Sequence, residues 1–61
     1  MSLYKFVATK GREIQNVNAD SIGGLKLLHR EYFKFGWNVS EAFNNITSEV
    51  ILKAKSHEAK K

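Results

Sequence analysis

The sequence predicts an α+β fold in one small domain, an N-terminal β-hairpin followed by two α-helices (ββαα). Three observations carry the prediction. Residues 3–9, Leu-Tyr-Lys-Phe-Val-Ala-Thr, are rich in the β-branched and aromatic types that suit a pleated, half-buried surface. Residues 22–35 repeat apolar side chains at helical spacing behind an Asp20-Ser21 cap signal. Asn38-Val39-Ser40-Glu41 then reads as a second cap, with Glu41 at the third position as in a capping box.

The hairpin occupies residues 1–19. In its first strand Tyr4, Phe6 and Ala8 point to one side, and Leu3, Lys5, Val7 and Thr9 to the other. Lys10-Gly11 follows, and glycine supplies the positive φ that a tight reversal needs. Residues 12–19 return with Gln15, Val17 and Ala19 on one face and Ile14, Asn16 and Asn18 on the other.

Helix one spans 20–36. Ile22, Leu25, Leu28, Tyr32, Phe33 and Phe35 share an arc of roughly 160°, the expected core face. Gly36 ends the helix as a left-handed cap. Gly23 and Gly24 weaken the first turn by about 1 kcal/mol each. Helix two is assigned to 38–57. Val39, Ala42, Phe43, Ile46, Val50 and Ala54 share about 120° of arc, with Phe43 and Ile46 central. Ile51 and Leu52 fall outside that arc. The alternative for Trp37-Asn38-Val39 is a short third strand, and the helix is preferred. Residues 58–61 form a basic tail.

Length and composition bound the function. Sixty-one residues suffice for one domain, with 10 Lys plus Arg against 6 Asp plus Glu and a formal charge of +4. The chain has no proline and no cysteine, which excludes a disulfide framework, a thiolate zinc site and a Cys nucleophile. A core this small leaves a thin stability margin. A homodimer is therefore expected, joined through the two-sided strand 3–9 and the off-arc Ile51 and Leu52. The longest apolar runs are the three residues Phe6-Val7-Ala8 and Val50-Ile51-Leu52, far below the roughly 20 residues of a membrane span. No secretory signal is legible, so the sequons at Asn38 and Asn45 are expected to stay unused. The expected location is the cytoplasm of a bacterium or of an infected cell.

Nothing in the sequence assembles catalytic chemistry. By residue type, the candidate near-neutral bases are His29 and His57. His29 and Glu31 sit two apart on a helix and point to different sides. His29 reads as a core-edge histidine, and His57 as a side chain favoured by a helix C-terminus. Two histidines 28 residues apart match no common metal site. Gly23-Gly24 lacks the Lys-Ser/Thr of a phosphate-binding loop. No enzyme, metal or cofactor is expected.

Binding signals remain. Lys26, Arg30 and Lys34 recur at i, i+4 and i+8 as one basic stripe that can follow a phosphate backbone. Tyr32-Phe33-Lys34-Phe35-Gly36-Trp37 interleaves aromatics with a base, and Trp37 is the exposed candidate. Lys53, Lys55, Lys60 and Lys61 form a cationic end that matches the dipole of helix two.

Residues 20–56 resemble the two-helix half of ribbon-helix-helix repressors. The resemblance rests on Gly36 and then Asn38-Val39-Ser40-Glu41-Ala42-Phe43. It implies a dimer whose paired strands enter the major groove of DNA. Asn16 and Asn18 would then face adenines, with Lys5 and Arg12 as neighbouring cations. Residues 3–9 depart from the family pattern, being apolar on both faces. The expected function is a dimeric, non-enzymatic DNA-binding regulator of phage or mobile-element type. The alternative is a small phage-type protein that binds and inhibits a larger host protein through Trp37, Ile51 and Leu52. A structural subunit of a larger assembly is a third possibility.

Overall fold

The computed structural model describes residues 3–57. Strands β1 (Tyr4–Lys10) and β2 (Glu13–Ala19) pair antiparallel in unbroken register, from Tyr4 opposite Ala19 to Lys10 opposite Glu13. The turn between them is Gly11-Arg12. Gly11 has φ of 62°, and a positive φ at the first of two turn residues suits the type II′ reversal that matches strand twist.

Helix α1 (Ile22–Lys34) follows. Ser21 caps it, its side chain accepting from the Gly24 N–H at 3.1 Å. Gly36 leaves it at φ of 99°, where an L side chain is strained. The Ser21 cap and the Gly36 stop match the expectation for helix one, while the helix itself, 13 residues long, is shorter than the 20–36 assigned to it.

The second half departs from it. Residues 38–57 contain no helix but three short strands: β3 (Asn38–Val39), β4 (Ala42–Asn44) and β5 (Val50–Leu52). The fold is thus an antiparallel five-stranded sheet with a single helix, and ββαα is overturned. Of the readings weighed for residues 37–39, the short strand is the one that forms. The expected basic tail, 58–61, lies outside the described residues.

Both β3 and β4 pair with the edge of β1 that β2 leaves free. Ala8 faces Val39 and Thr9 faces Asn38; then Lys5 faces Phe43 and Tyr4 faces Asn44. One extra residue separates the two blocks on the β3–β4 side, which is a bulge at Ser40-Glu41. Ser40 stitches it. Its N–H donates to the Val7 carbonyl at 2.8 Å, and its Oγ accepts from the Val7 N–H at 2.8 Å. Strand β5 pairs with β4, Ala42 opposite Leu52 and Phe43 opposite Val50, and Val39 bridges to Lys55. The order across the sheet is β2-β1-β4-β5, with β3 beside β1.

The loop between β4 and β5 explains why no helix forms. Asn44 Oδ1 accepts from the N–H groups of Ile46 and Thr47, at 2.7 and 3.0 Å, and Thr47 Oγ1 accepts from the Glu49 N–H. Ser48 adopts φ of 64°. Short polar side chains compete with helical hydrogen bonds in this way, and they fall in the middle of the apolar arc that suggested helix two. Ile46, expected at the centre of that helix, sits in the loop and is 68% exposed.

Helix α1 covers one face of the sheet. The core is Phe6, Ala8, Val17, Ala19, Leu25, Val39 and Ala42, with Phe6 and Leu25 fully buried. Leu28, Tyr32 and Phe33 pack against it as expected from the helical arc. Ile22 and Phe35, assigned to the same arc, are exposed instead, because they lie at the helix ends. His29 is buried. Its Nε2–H donates to the Ser40 carbonyl at 2.9 Å, and its ring meets Phe6 edge-on. Among the described residues the other face of the sheet carries no helix, and it displays Ile14 and Val50.

A candidate nucleic-acid interface

Helical spacing gives α1 two flanks. Gln15 of β2 lines a hollow with Glu31, Tyr32 and Phe35, so one flank faces β2. The opposite flank faces β5. There Lys26, His29 and Arg30 meet Leu52, Lys53 and Lys55 around a hollow of about 270 Å³. Four cationic side chains, two from α1 and two from the segment after β5, thus surround one concavity, floored by the buried His29 and the half-buried Leu52.

The local structure explains the convergence. Lys26 and Arg30 are one helical turn apart and lie on the same flank. Lys55 is held by the bridge to Val39, whose N–H and carbonyl exchange two 2.9 Å hydrogen bonds with it. The Lys55 Nζ lies 5.6 Å from the centroid of the Phe33 ring, and that ring stacks on His57 at 4.0 Å. His57 is tied in turn, its Nε2–H donating to the Phe33 carbonyl and its backbone N–H to Asn38 Oδ1.

Charge is little compensated here. Among the described residues the one ion pair is Arg30 with Glu31, at 3.8 Å, with the Arg30 side chain largely exposed. Such a pair holds its partners weakly. A concave surface with several cations and few anions attracts polyanions and concentrates them.

The other residues singled out from sequence are distributed elsewhere. Lys34 is exposed at the end of α1, further round the helix and outside the wall of this hollow. Lys5, Asn16 and Asn18 share the uncovered face of the sheet, Lys5 directly opposite Asn18 and Asn16 opposite Val7. Arg12 sits in the β1–β2 turn. The stripe on the helix and the asparagines on the sheet therefore lie on opposite faces of the domain, and a single straight duplex does not meet both. Trp37 is half-buried, its ring edge-on to Tyr32 at 5.6 Å with Lys10 Nζ 5.9 Å from its centroid. Ile51 and Leu52 pack against the core from β5. They are not the off-arc surface of a helix, because that helix does not exist.

Lys53 and Lys55 join Lys26 and Arg30 only through the fold. Sequence reasoning matched them to a helix dipole, and without the helix that account falls. Their charge was the available signal; their neighbours were not. Lys60 and Lys61, grouped with them, lie outside the described residues.

Fold and surface together define a small basic α+β protein with an antiparallel sheet backed by one helix. No helix among the described residues is long and apolar enough to cross a membrane. Comparison with known proteins gives no match to a family model, to a curated protein or to a solved structure.

Proposed function

We propose that this protein is a non-enzymatic binding protein whose ligand is the phosphate backbone of DNA, held against Lys26, Arg30, Lys53 and Lys55. The observation that carries the reading is the convergence of those four cations, from α1 and from the segment that follows β5, on one hollow. Each cation that meets a phosphate releases condensed counterions, which favours binding at low salt without any demand on sequence. The net charge of +4 adds long-range attraction. Both histidine Nε2 atoms are already engaged by backbone carbonyls, so the site offers charge and shape rather than an evident general base.

The test is fluorescence anisotropy with a labelled random duplex and a labelled single strand. Binding to duplex at about 50 mM salt, weakening steeply as salt rises, is the expected result. Absence of binding to either probe at that salt refutes the reading. The alternative, capture of a larger protein, then becomes the reading to pursue.

A further inference from the structure

The two edges of the sheet are built differently. The β5 edge is short, interrupted by a register shift, and flanked by Lys53 and Lys55. Those are the devices that stop a sheet edge from pairing with another chain. The β2 edge has none of them. It is seven residues long and in unbroken register, with no lysine, no proline and one charge, Glu13.

Its free hydrogen-bonding groups can be identified. The N–H and carbonyl of Val7 are both taken by Ser40, on the far side of β1. Val7 therefore forms no ladder bonds with its β2 partner Asn16. By the alternation of an antiparallel pair, the backbone groups of Ile14, Asn16 and Asn18 point outward from the sheet.

We infer that this edge pairs with the same edge of a second copy of the chain, antiparallel and centred on Asn16, to give one continuous sheet. The sequence around the centre is self-complementary. Asn16 meets Asn16 of the second copy, Ile14 meets Asn18, and Arg12 comes beside Asp20 at both ends, which pairs opposite charges twice. Narrow pairs at Ile14, Asn16 and Asn18 provide about six backbone hydrogen bonds. The twofold axis stands perpendicular to the sheet, so both helices lie on the same side with their β2 flanks facing. Those flanks carry Phe35, 65% exposed, and the hollow beside β2 has no cation in its wall. Two chains of charge +4 meet along a strand that itself carries no cation. The cluster of Lys26, Arg30, Lys53 and Lys55 stays uncovered at the far ends. The inference does not depend on the nucleic-acid reading.

Sedimentation velocity of the full chain from about 1 to 100 µM tests it, since mass action makes a dimer concentration-dependent. Wild type is expected to shift to the dimer across this range. Asn16→Pro removes an N–H that the monomer does not use, at an edge position where proline is tolerated. It should sediment as a monomer throughout, with an unchanged circular dichroism spectrum. Arg12→Glu should weaken the dimer at least tenfold, and Arg12→Glu with Asp20→Arg should restore it. A wild type that stays monomeric at 100 µM overturns the inference. So does an Asn16→Pro variant that dimerises like wild type. If Asn16→Pro does not fold, the charge exchange decides, and failure of the double variant to regain the dimer counts against the pairing.

Discussion

Neutralising one lysine at a time separates the cluster made by the fold from the stripe read along the helix. Four cations line the hollow: Lys26, Arg30, Lys53 and Lys55. With each meeting one phosphate of a duplex, the slope of log K against log salt is about −3.6 per chain, from −0.9 per contact. Raising salt from about 50 to 200 mM then weakens binding by roughly 150-fold. Lys53→Gln removes one contact, so the slope becomes about −2.7 and the loss over the same range falls to about 40-fold. Lys34→Gln removes a charge outside the hollow and leaves the slope near −3.6. Both side chains are exposed, so both variants should stay within about 0.5 kcal/mol of wild-type stability. Anisotropy titrations at four or five salt concentrations give the slopes, and thermal melts check the fold. A shallower slope for Lys34→Gln with none for Lys53→Gln would refute the cluster and restore the helical stripe.

Three further variants test the fold. Phe6 is fully buried and packs on His29 and Tyr32, so Phe6→Ala should cost about 3–5 kcal/mol and unfold most of so small a domain at room temperature. Ile46→Ala, in an exposed loop, should change stability by less than about 0.5 kcal/mol, whereas a central position in a second helix would cost about 2–5 kcal/mol; urea melts distinguish the two. Ser40→Ala leaves the Val7 N–H without its acceptor and should cost about 1–3 kcal/mol. Amide exchange at Val7 should rise with it, and unchanged protection there would mean that the bulge is held by other groups.

The first half of the chain was legible because its signals are local. Alternation of Tyr4, Phe6 and Ala8, the positive φ at Gly11, the Ser21 cap and the Gly36 stop each act within a few residues of themselves. A hairpin and a capped helix need no distant partner to form their hydrogen bonds. The β-branched and aromatic residues of β1 suit a central strand as well as an exposed one, and β1 is paired on both edges. Read as a dimer surface, it left residues 38–57 free to be a helix. Read as a central strand, it would have demanded a second neighbour from those same residues.

Choosing that neighbour was beyond local pattern. Val39, Ala42, Phe43, Ile46 and Val50 fit a helical arc as well as they fit short strands. What decides is that the open edge of β1 offers Val7 and its neighbours as partners from more than thirty positions away. A bulge at Ser40 and a loop at Asn44–Ser48 then make the fit. The cluster of cations followed from the same choice. Sequence supplied Lys26 and Arg30 on one flank of α1, and it supplied Lys53 and Lys55 near the end of the chain. Only the return of β5 beside β4 brought the two pairs together, because sheet pairing joins residues by backbone hydrogen bonds whose partners are set by the whole fold and not by spacing along the chain.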